Sequence, residues 1–419
     1  MTASLRLASV LRVGAYRNLF TAQVLALLGT GMLTVALGLL AFDLARADAG
    51  AVLGTALTIK MIAYVAVAPI VAAAVDRLPR KAVLIGADLV RALMAVGLPM
   101  VTEVWQIYVL IFLLQSASAT FTPAFQSTIP SILTDERDYT KALSLSRLAY
   151  DLEAIVSPIV AALLLAVVSY SNLFAATVVG FLASAALVAV TRIPPRPAPS
   201  SVLRFWRRTT EGVRVFVRTR SLRFLMLMNV VVAAGTALVL VNSVVYVKGV
   251  FALDDSALGL VYATYGMGSL LIALTTPRIV EALGVSRTML AGATTVIAGL
   301  VGALVFTLSM DPRGSWWPLL GVWALLGAGT SLINTPSARL LLAASTEDDR
   351  ALVYTAQFSL SHACFLIAYP LAGWLGAWTP PAAVLALLAL AVVGALAGRR
   401  VLSGGANPAS RSARLPARP

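Results

Sequence analysis

The sequence predicts an all-α protein that crosses a membrane many times. Of its 419 residues, 59% are hydrophobic and only 12% are charged, and the mean hydropathy is +0.90. A soluble domain is roughly 45–50% apolar and about 25% charged, so we expect most of this chain to face lipid. Backbone polar groups in hydrocarbon must be satisfied within one element, which favours helices. The apolar runs also lack the alternation that is typical of barrel strands.

Twelve segments have the length that a membrane-crossing helix needs, about 20 apolar residues. They fall into two halves of six, so we expect 12 transmembrane helices in two pseudo-symmetric six-helix halves. The predicted segments are 19–42, 51–75, 82–101, 105–132, 141–168, 172–191, 221–247, 256–280, 287–309, 316–344, 350–376 and 380–398.

Composition divides the chain into four predicted parts. These are an N-terminal half (1–191), a cytoplasmic linker (192–220), a C-terminal half (221–400) and a disordered cytoplasmic tail (401–419). The linker begins with a proline-rich run that cannot be helical. Its continuation, Val202–Val217, interleaves arginines with apolar residues, which predicts an amphipathic helix on the membrane surface. A solvated basic linker is the alternative.

Short motifs repeat between the halves at a near-constant spacing. Thr122-Pro123-Ala124 matches Thr335-Pro336-Ser337, and Asp135-Glu136-Arg137 matches Asp348-Asp349-Arg350, both at an offset of 213 residues. Two similar halves place a cleft between them near the middle of the membrane, where proteins with internal repeats bind small molecules.

The net charge of +14 follows membrane topology. With both termini inside, all 32 Lys and Arg residues lie on or toward the cytoplasmic side except Arg46, Lys60, Lys248 and Arg313. This positive-inside pattern predicts a multi-pass protein of the plasma membrane with cytoplasmic termini. The basic side favours contact with anionic lipids of the inner leaflet. We therefore expect no nucleic-acid partner.

Enzyme chemistry finds little support in the sequence. Cys364 and His362 are the only residues of their types, so neither a thiolate metal site nor a convincing catalytic triad is expected. The chain has no phosphate-binding loop of the Gly-x-x-x-x-Gly-Lys-[Ser/Thr] type. We predict no catalytic residue, no metal and no cofactor. His362 is either a packed residue or a pH switch.

The turn between the second and third segments carries the sequence Asp76-Arg77-Leu78-Pro79-Arg80-Lys81. It resembles the Gly-x-x-x-Asp-Arg-x-Gly-Arg-Lys signature of the major facilitator superfamily, with Ala72 and Pro79 in place of the two glycines. The stretches Tyr16–Gln23, Phe121–Phe125 and Ser144–Arg147 are similar to the proton-antiport branch that includes the enterobactin exporter and macrolide pumps.

This resemblance implies a monomeric transporter that exports small amphipathic compounds, drug-like or siderophore-like, by proton antiport and alternating access. Two departures affect that implication. The Gly-Pro-x-x-Gly-Gly motif of the fifth helix reads Ser157–Ala162 here, and the fourth segment lacks the arginine that often assists proton transfer. A proton-symporting importer or a facilitator on the same fold is the alternative. The third interpretation is a membrane receptor or scaffold that does not transport a solute.

Ionisable residues inside a span are costly, so each is a functional candidate. Asp88 and Arg91 are spaced i,i+3, and Arg147 and Asp151 are spaced i,i+4, so each pair can meet on one helix face. We predict that they join the turn in a gate network that is made in one conformation and broken in another. Substrate binding is the alternative role. The predicted network is Asp76, Arg77, Arg80, Lys81, Asp88, Arg91, Arg147 and Asp151.

Glu153 has no basic residue three or four positions away, although it lies near mid-depth. Burial without a partner favours the neutral form of a carboxyl group, which suits a proton carrier. Alternatively, Glu153 pairs with Lys60, which is likewise alone in the second segment. Asp43, near the outer end of the first segment, is either a protonation site or an acid in water. We predict that these three residues serve proton coupling.

The first, fourth, seventh and tenth segments are expected to surround the cleft. Most of their polar residues are uncharged, which suits a weakly polar or amphipathic ligand better than a sugar phosphate. Hydrogen bonds between helices are the alternative role, typically worth about 0.6 kcal/mol each. The predicted cavity residues are Thr30, Thr34, Gln115, Thr122, Gln126, Asn229, Asn242, Trp323, Asn334 and Thr335.

The substitution Asp76→Asn tests the predicted gate. We expect it to impair transport without preventing membrane insertion, because it removes one charge from a loop and leaves the apolar spans intact. Transport would be measured in vesicles at matched protein level. Normal flux in the variant would contradict the gate role.

Overall fold

The computed structural model describes residues 8–67, 78–194, 211–309, 311, 314–345 and 350–403. Within these ranges the chain is helical almost throughout and contains no β-strand. The predicted all-α class is therefore confirmed.

Six long helices lie in the described ranges before residue 194. A short 3₁₀ turn, Arg46–Asp48, joins the first two, and a π-helical turn, Ala63–Val67, continues the second. Glu103 begins the fourth with a capping box, in which its side chain and that of Gln106 each bond the other's backbone. The helices are α1 (Gly14–Ala45), α2 (Ala49–Ile62), α3 (Arg80–Gly97), α4 (Val104–Ile132), α5 (Glu136–Leu165) and α6 (Ser171–Val190).

Six further long helices follow residue 219. The first continues through π-helical segments to Val250. They are α7 (Arg220–Ala237), α8 (Asp255–Leu283), α9 (Val285–Leu308), α10 (Trp317–Ala343), α11 (Arg350–Trp378) and α12 (Pro380–Ser403).

Local chemistry explains where α8 begins and ends. The Asp254 carboxylate accepts a hydrogen bond from the Ala257 amide at 2.9 Å and one from the Ser256 hydroxyl at 2.8 Å. These bonds satisfy an end group of α8 and hold the pKa of Asp254 below its ordinary value. At the other end Gly284, with φ of 79°, turns the chain directly into α9.

By length and composition, ten helices within the described ranges could cross a membrane. One of the ten is the stretch Gly14–Val67, which includes both α1 and α2. α5 is not among the ten. The multi-pass character is confirmed, and the number twelve stays a prediction.

The helix pairs that pack within the first half recur in the second. α1 packs on α6 as α7 packs on α12, α3 packs on α4 as α9 packs on α10, and α3 packs on α6 as α9 packs on α12. The motif repeat in the sequence thus has a counterpart in the packing. The exact boundaries of the predicted domains stay predictions.

The halves meet along α2 and α11 and along α5 and α8. Glycines let the first of these pairs approach closely. A Cβ on Gly54 would lie 2.8 Å from the Tyr369 carbonyl oxygen, and one on Gly373 would lie 2.6 Å from the Gly50 oxygen. We call this contact the glycine seam. We call the end of the bundle where α1 leads into α2 the outer end, because the charge pattern predicts that it faces outside.

The linker and the tail are described only in part. Residues 211–218 form a helix whose buried Gly212 and Phe216 face the bundle, while Arg214 and Arg218 are exposed. A Cβ on Gly212 would lie 2.8 Å from the Leu352 oxygen, so this helix packs on α11. The rest of the predicted amphipathic helix lies outside the described residues.

α12 extends to Ser403, past the boundary predicted at residue 400. The Arg220 side chain donates to the carbonyl oxygens of Val401 and Leu402. Carbonyls in the last turn of a helix have no partner within the helix. Arg220 supplies partners for two of them and stabilises the additional turn.

The substitution Gly54→Leu tests the glycine seam. We expect the new side chain to separate α2 from α11, because its first carbon has no space. A cysteine at Ala51, whose Cα would lie 3.4 Å from a Cβ on Gly373, should then react faster with a thiol reagent in purified protein lacking Cys364. The control is Gly86→Leu on α3, where no atom lies within 4 Å of the added Cβ. Equal reaction rates in the two variants would contradict the seam.

Candidate functional site

Two oppositely charged residues of the N-terminal half lie on two helices that contact the other half, α2 and α5. Glu153 of α5 and Lys60 of α2 interact electrostatically, and both side chains are partly exposed. At a helical rise of about 1.5 Å per residue, Lys60 and Glu153 lie roughly 16–18 Å from the outer ends of their helices. The structure thus brings together Glu153 and Lys60, neither of which has an oppositely charged residue three or four positions away on its own helix. Their role in proton coupling stays a prediction.

The backbone of α1 fixes the position of the Glu153 carboxylate. Its Oε1 atom lies 2.9 Å from the place that a Cβ on Gly31 would occupy, and Ser157 contacts the same place. The Ser157 hydroxyl is buried and has no hydrogen-bond partner among the described residues. A side chain at position 31 of α1 would therefore clash with Glu153 and Ser157 of α5, which is why this position is a glycine.

Two tyrosines of the C-terminal half complete this environment. Tyr369 of α11 interacts electrostatically with Glu153 and with Tyr265 of α8. Neither tyrosine is among the predicted site residues, because the prediction considered uncharged polar residues only on the helices expected around the cleft. The helices at the contact between the halves are α2, α5, α8 and α11 instead. The presence of tyrosines in the predicted spans of these four helices could have indicated Tyr265 and Tyr369 as site residues.

The outer end is closed by contacts between the halves. Trp374 Nε1 donates to the Thr55 hydroxyl at 3.0 Å, directly beside the glycine seam. A Cβ on Gly249 of the π-helical extension of α7 would lie 3.7 Å from the Phe42 ring of α1. Both contacts cross from one half to the other.

Polar pairs lie at the outer end beside these contacts. Tyr170 donates a hydrogen bond to Asp43, and Lys248 forms an ion pair with Asp255 at 2.7 Å. Burial, followed by the hydrogen bond to Asp43 and the charges of Asp43 and Asp255, raises the pKa of Tyr170. Asp43 itself is exposed. The structure therefore places Asp43 at the surface of the outer end and not with Glu153.

Asp88 and Arg91 form a buried ion pair on α3. The Ser184 hydroxyl of α6 donates to the second Asp88 oxygen at 2.7 Å. The Arg91 guanidinium lies 4.4 Å from the Phe121 ring centroid and 4.6 Å from that of Phe181, within range of cation–π attraction. All these partners belong to the N-terminal half, so the pair binds α3 to α4 and α6.

The remaining predicted gate residues are placed only in part. Asp76 and Arg77 lie outside the described residues, as do the side chains of Arg147 and Asp151. Lys81 donates to the Thr191 carbonyl oxygen at 3.1 Å, near the end of α6. Arg80 begins α3. The gate network as a whole therefore stays a prediction.

Several predicted cavity residues bond within their own helix. Thr30, Thr34 and Thr122 each donate to the carbonyl oxygen four residues earlier, and the Thr335 hydroxyl lies 3.3 Å from that of Ser331.

Others bridge helices within the C-terminal half. Asn229 of α7 exchanges two hydrogen bonds with Gln357 of α11, at 3.2 and 3.3 Å. Trp323 is fully buried, and its Nε1 donates to the Ser243 hydroxyl at 2.7 Å. The structure therefore places Trp323 in the packing between α7 and α10.

A third group offers unsatisfied or accessible polar atoms. The side-chain oxygens of Gln115 and Asn242 are buried without a hydrogen-bond partner among the described residues. The same holds for the hydroxyls of Ser116 and Ser118 on α4. Such groups usually bind water or a ligand. Gln126 and Asn334 are partly exposed.

Repeated helical halves that enclose a charge pair are the architecture of a membrane transport protein. A family model of the Major Facilitator Superfamily matches residues 19–254 and 224–419. The chain belongs to this superfamily of membrane transporters.

Curated relatives resemble the chain over part of its length. Macrolide efflux protein A of Streptococcus pyogenes is 28% identical over 221 residues, which are 51% of this chain and 54% of that protein. Macrolide efflux protein A of Enterococcus faecalis is 31% identical over 189 residues, or 42% and 58% of the two chains. The chain thus spans only 54–58% of the length of these relatives.

The solved structure of the POT family transporter PepTSo is similar with a TM-score of 0.68. Its sequence is 14% identical, and the match covers 93% of this chain and 98% of that one. This likeness shows the fold alone.

The substitution Asp88→Asn tests the structural role of the pair on α3. It leaves the buried Arg91 charge without its counter-ion, so we expect a loss of about 3–5 kcal/mol in stability. Thermal unfolding in detergent measures it. Asp138→Asn on α5 is the control, because Asp138 pairs with Lys141 at the surface, where such a pair is worth about 0–1 kcal/mol. Equal loss in both variants would contradict this role.

Proposed function

We propose that the protein is a secondary exporter of small amphipathic organic compounds, driven by proton entry. The observation that carries the proposal is the Glu153–Lys60 pair, which lies at the depth of the contact between the halves. A proton can neutralise the Glu153 carboxylate. The carboxylate interacts electrostatically with Lys60 of its own half and with Tyr369 of the other half.

The proposed cycle alternates between two arrangements of the halves. In the arrangement described here, the glycine seam and the Trp374–Thr55 bond close the outer end. Substrate then enters from the opposite side, which the positive-inside pattern assigns to the cytoplasm. The second arrangement opens the seam and closes the inner end, where we propose that the network around Asp76 acts as the gate.

In this proposal, protonation of Glu153 biases the equilibrium by the difference in its electrostatic interactions between the two arrangements. Moving a two-state equilibrium from 1:99 to 99:1 requires about 5.5 kcal/mol, so substrate binding also contributes.

Uncharged polar atoms on α4, a helix expected beside the cleft, support the proposed substrate class. The unsatisfied oxygens of Gln115, Ser116 and Ser118 can bind hydroxyl or carbonyl groups without demanding a charged ligand. The efflux relatives carry macrolides in their names, and a macrolide is a weakly polar organic compound. We therefore propose macrolide-like compounds as the first substrates to test. Within this proposal the protein acts as a monomer in the plasma membrane, with both termini cytoplasmic.

The substitution Glu153→Gln tests the proposal in liposomes that contain a pH-sensitive dye and are given an imposed pH gradient. We expect erythromycin, a macrolide, to drive proton flux through the unmodified protein. The variant should lose this flux, because an amide cannot carry the proton. Asp138→Asn on the same helix is the control and should retain the flux.

Other outcomes of this experiment decide against specific parts of the proposal. Proton-coupled flux that survives in Glu153→Gln would contradict Glu153 as the carrier. Erythromycin movement without proton flux in the unmodified protein would indicate a facilitator. Erythromycin and protons that move in the same direction would indicate a symporting importer.

A further inference from the structure

Ser157 lies on the same face of α5 as Glu153, one helical turn further along the chain. Residues spaced i,i+4 are neighbours on a helix surface. A Cβ on Gly31 of α1 would lie 2.2 Å from the Ser157 Oγ and 2.9 Å from the Glu153 Oε1, so both oxygens face the same glycine. Their separation cannot exceed these two distances combined, which is less than two hydrogen bonds of about 2.8 Å end to end.

The Ser157 hydroxyl differs from many other hydroxyls of the described helices. Thr30 and Thr34 of α1, for example, donate to the carbonyl oxygen four residues earlier, at 2.9 and 3.1 Å. Ser157 is only 1% exposed, and its hydroxyl makes no hydrogen bond among the described residues. A buried hydroxyl without a partner is costly, and this one is free both to donate and to accept a hydrogen bond.

The two charge states of Glu153 need different partners. An ionised carboxylate only accepts hydrogen bonds, whereas a protonated carboxyl group has an O–H to donate. Lys60 carries three donors and no acceptor, so it serves the ionised state alone. Gly31 has no side chain to offer. The Ser157 oxygen is therefore an acceptor that the structure places beside the carboxyl group for its protonated state.

A proline next to Ser157 provides for the hydrogen of the serine itself. Pro158 has no amide hydrogen, so the Ala154 carbonyl lacks the donor that a helix normally supplies. Serine side chains can donate to the carbonyl three residues earlier. The Ser157 hydroxyl can therefore donate to this carbonyl while its oxygen accepts the hydrogen of Glu153.

We propose that Ser157 is the positioning residue that holds the proton on Glu153, by accepting a hydrogen bond from the protonated carboxyl group directly or through one water. Lys60 then stabilises the ionised state and Ser157 the protonated state. The inference rests on the coupling role proposed for Glu153 and names the group that stabilises the loaded carrier. It also gives a role to a departure in the sequence, since Ser157 replaces the first glycine of the fifth-helix motif.

Titratable groups approach this site from several helices. Lys60 of α2 and Tyr369 of α11 interact electrostatically with Glu153, while α1 presents Gly31. The tyrosine hydroxyls of α4 and α8 bond to other groups, namely Tyr108 to Thr55, Tyr262 to the Leu240 carbonyl oxygen, and Tyr265 to Thr236 and Thr330.

The other ionisable side chains on these helices lie away from Glu153 or outside the described residues. α10 carries Arg339 near its inner end, and the side chains of Arg147 and Asp151 are among those not described. Nearer the inner end, His362 of α11 stacks on Tyr64 of α2, with ring centroids 5.2 Å apart. Because other groups titrate, the test has to follow Glu153 itself.

The test is a pH titration of the Glu153 carboxyl band by infrared spectroscopy, on purified full-length protein in lipid bilayers without substrate. The band that disappears in Glu153→Gln belongs to Glu153, so its intensity against pH gives the midpoint of protonation. Ser157→Ala removes only the hydroxyl. Ser337→Ala is the matched control, because Ser337 is 2% exposed but its hydroxyl donates to the Asn334 carbonyl oxygen of its own helix at 2.6 Å.

We expect Ser157→Ala to lower the midpoint by about 0.5–1 pH unit, because the loss of one hydrogen bond destabilises the protonated state. The band should also change in frequency, since the carboxyl hydrogen loses its acceptor. Lys60→Met should raise the midpoint, because it removes the charge that favours the ionised state. Ser337→Ala should change neither quantity. A general loosening of the packing would not shift the midpoint in opposite directions in the Ser157 and Lys60 variants.

The outcomes separate this inference from the proposed function. If no carboxyl band depends on Glu153 at any pH, Glu153 takes up no proton and both fail. If Glu153 titrates but Ser157→Ala leaves its midpoint unchanged or raises it, the inference about Ser157 alone is wrong. If the midpoint falls as expected but erythromycin drives no proton flux, Ser157 holds the proton and the proposed export fails. Should Ser157→Ala not fold, Ser157→Gly removes the same hydroxyl and is judged by the same criteria.

Discussion

The arrangement depends on one constraint, that a charge inside a membrane needs a partner. Glu153 meets it with Lys60, a residue of a different helix in the same half. Among the described residues, the buried charges Asp88 and Arg91 meet it locally, within one turn of α3. A pair on one helix is unaffected when helices move. The Glu153–Lys60 pair joins two helices that both contact the other half, so movement of the halves changes its surroundings.

Two kinds of contact act together at this interface. The glycine seam is steric, so it favours close approach of α2 and α11 at any pH. The Glu153–Lys60 pair is electrostatic, and in the proposed cycle its strength changes with one proton. Packed interfaces tend to have two discrete arrangements, which allows a local change to be amplified.

The sequence predicts the elements better than it predicts their neighbours. Long apolar runs define the helices because each needs only its own residues. The i,i+3 spacing of Asp88 and Arg91 likewise predicts their pairing. Glu153 and Lys60 are recognisable because neither has an oppositely charged residue three or four positions away. Tyr369 and the seam glycines are not recognisable from the sequence, because their environment exists only when α11 of one half lies along α2 of the other. Trp323 shows the same limit: its position in the sequence suits a cavity, but its burial against Ser243 follows from packing.

The central claim is that Glu153 changes its protonation when substrate binds. Infrared difference spectroscopy of purified protein, recorded on addition of erythromycin, observes carboxyl protonation directly. The account predicts a change in the carboxyl band of the unmodified protein that is absent in Glu153→Gln and present in Asp138→Asn. A band change that persists in Glu153→Gln would place the proton on another residue and contradict the account.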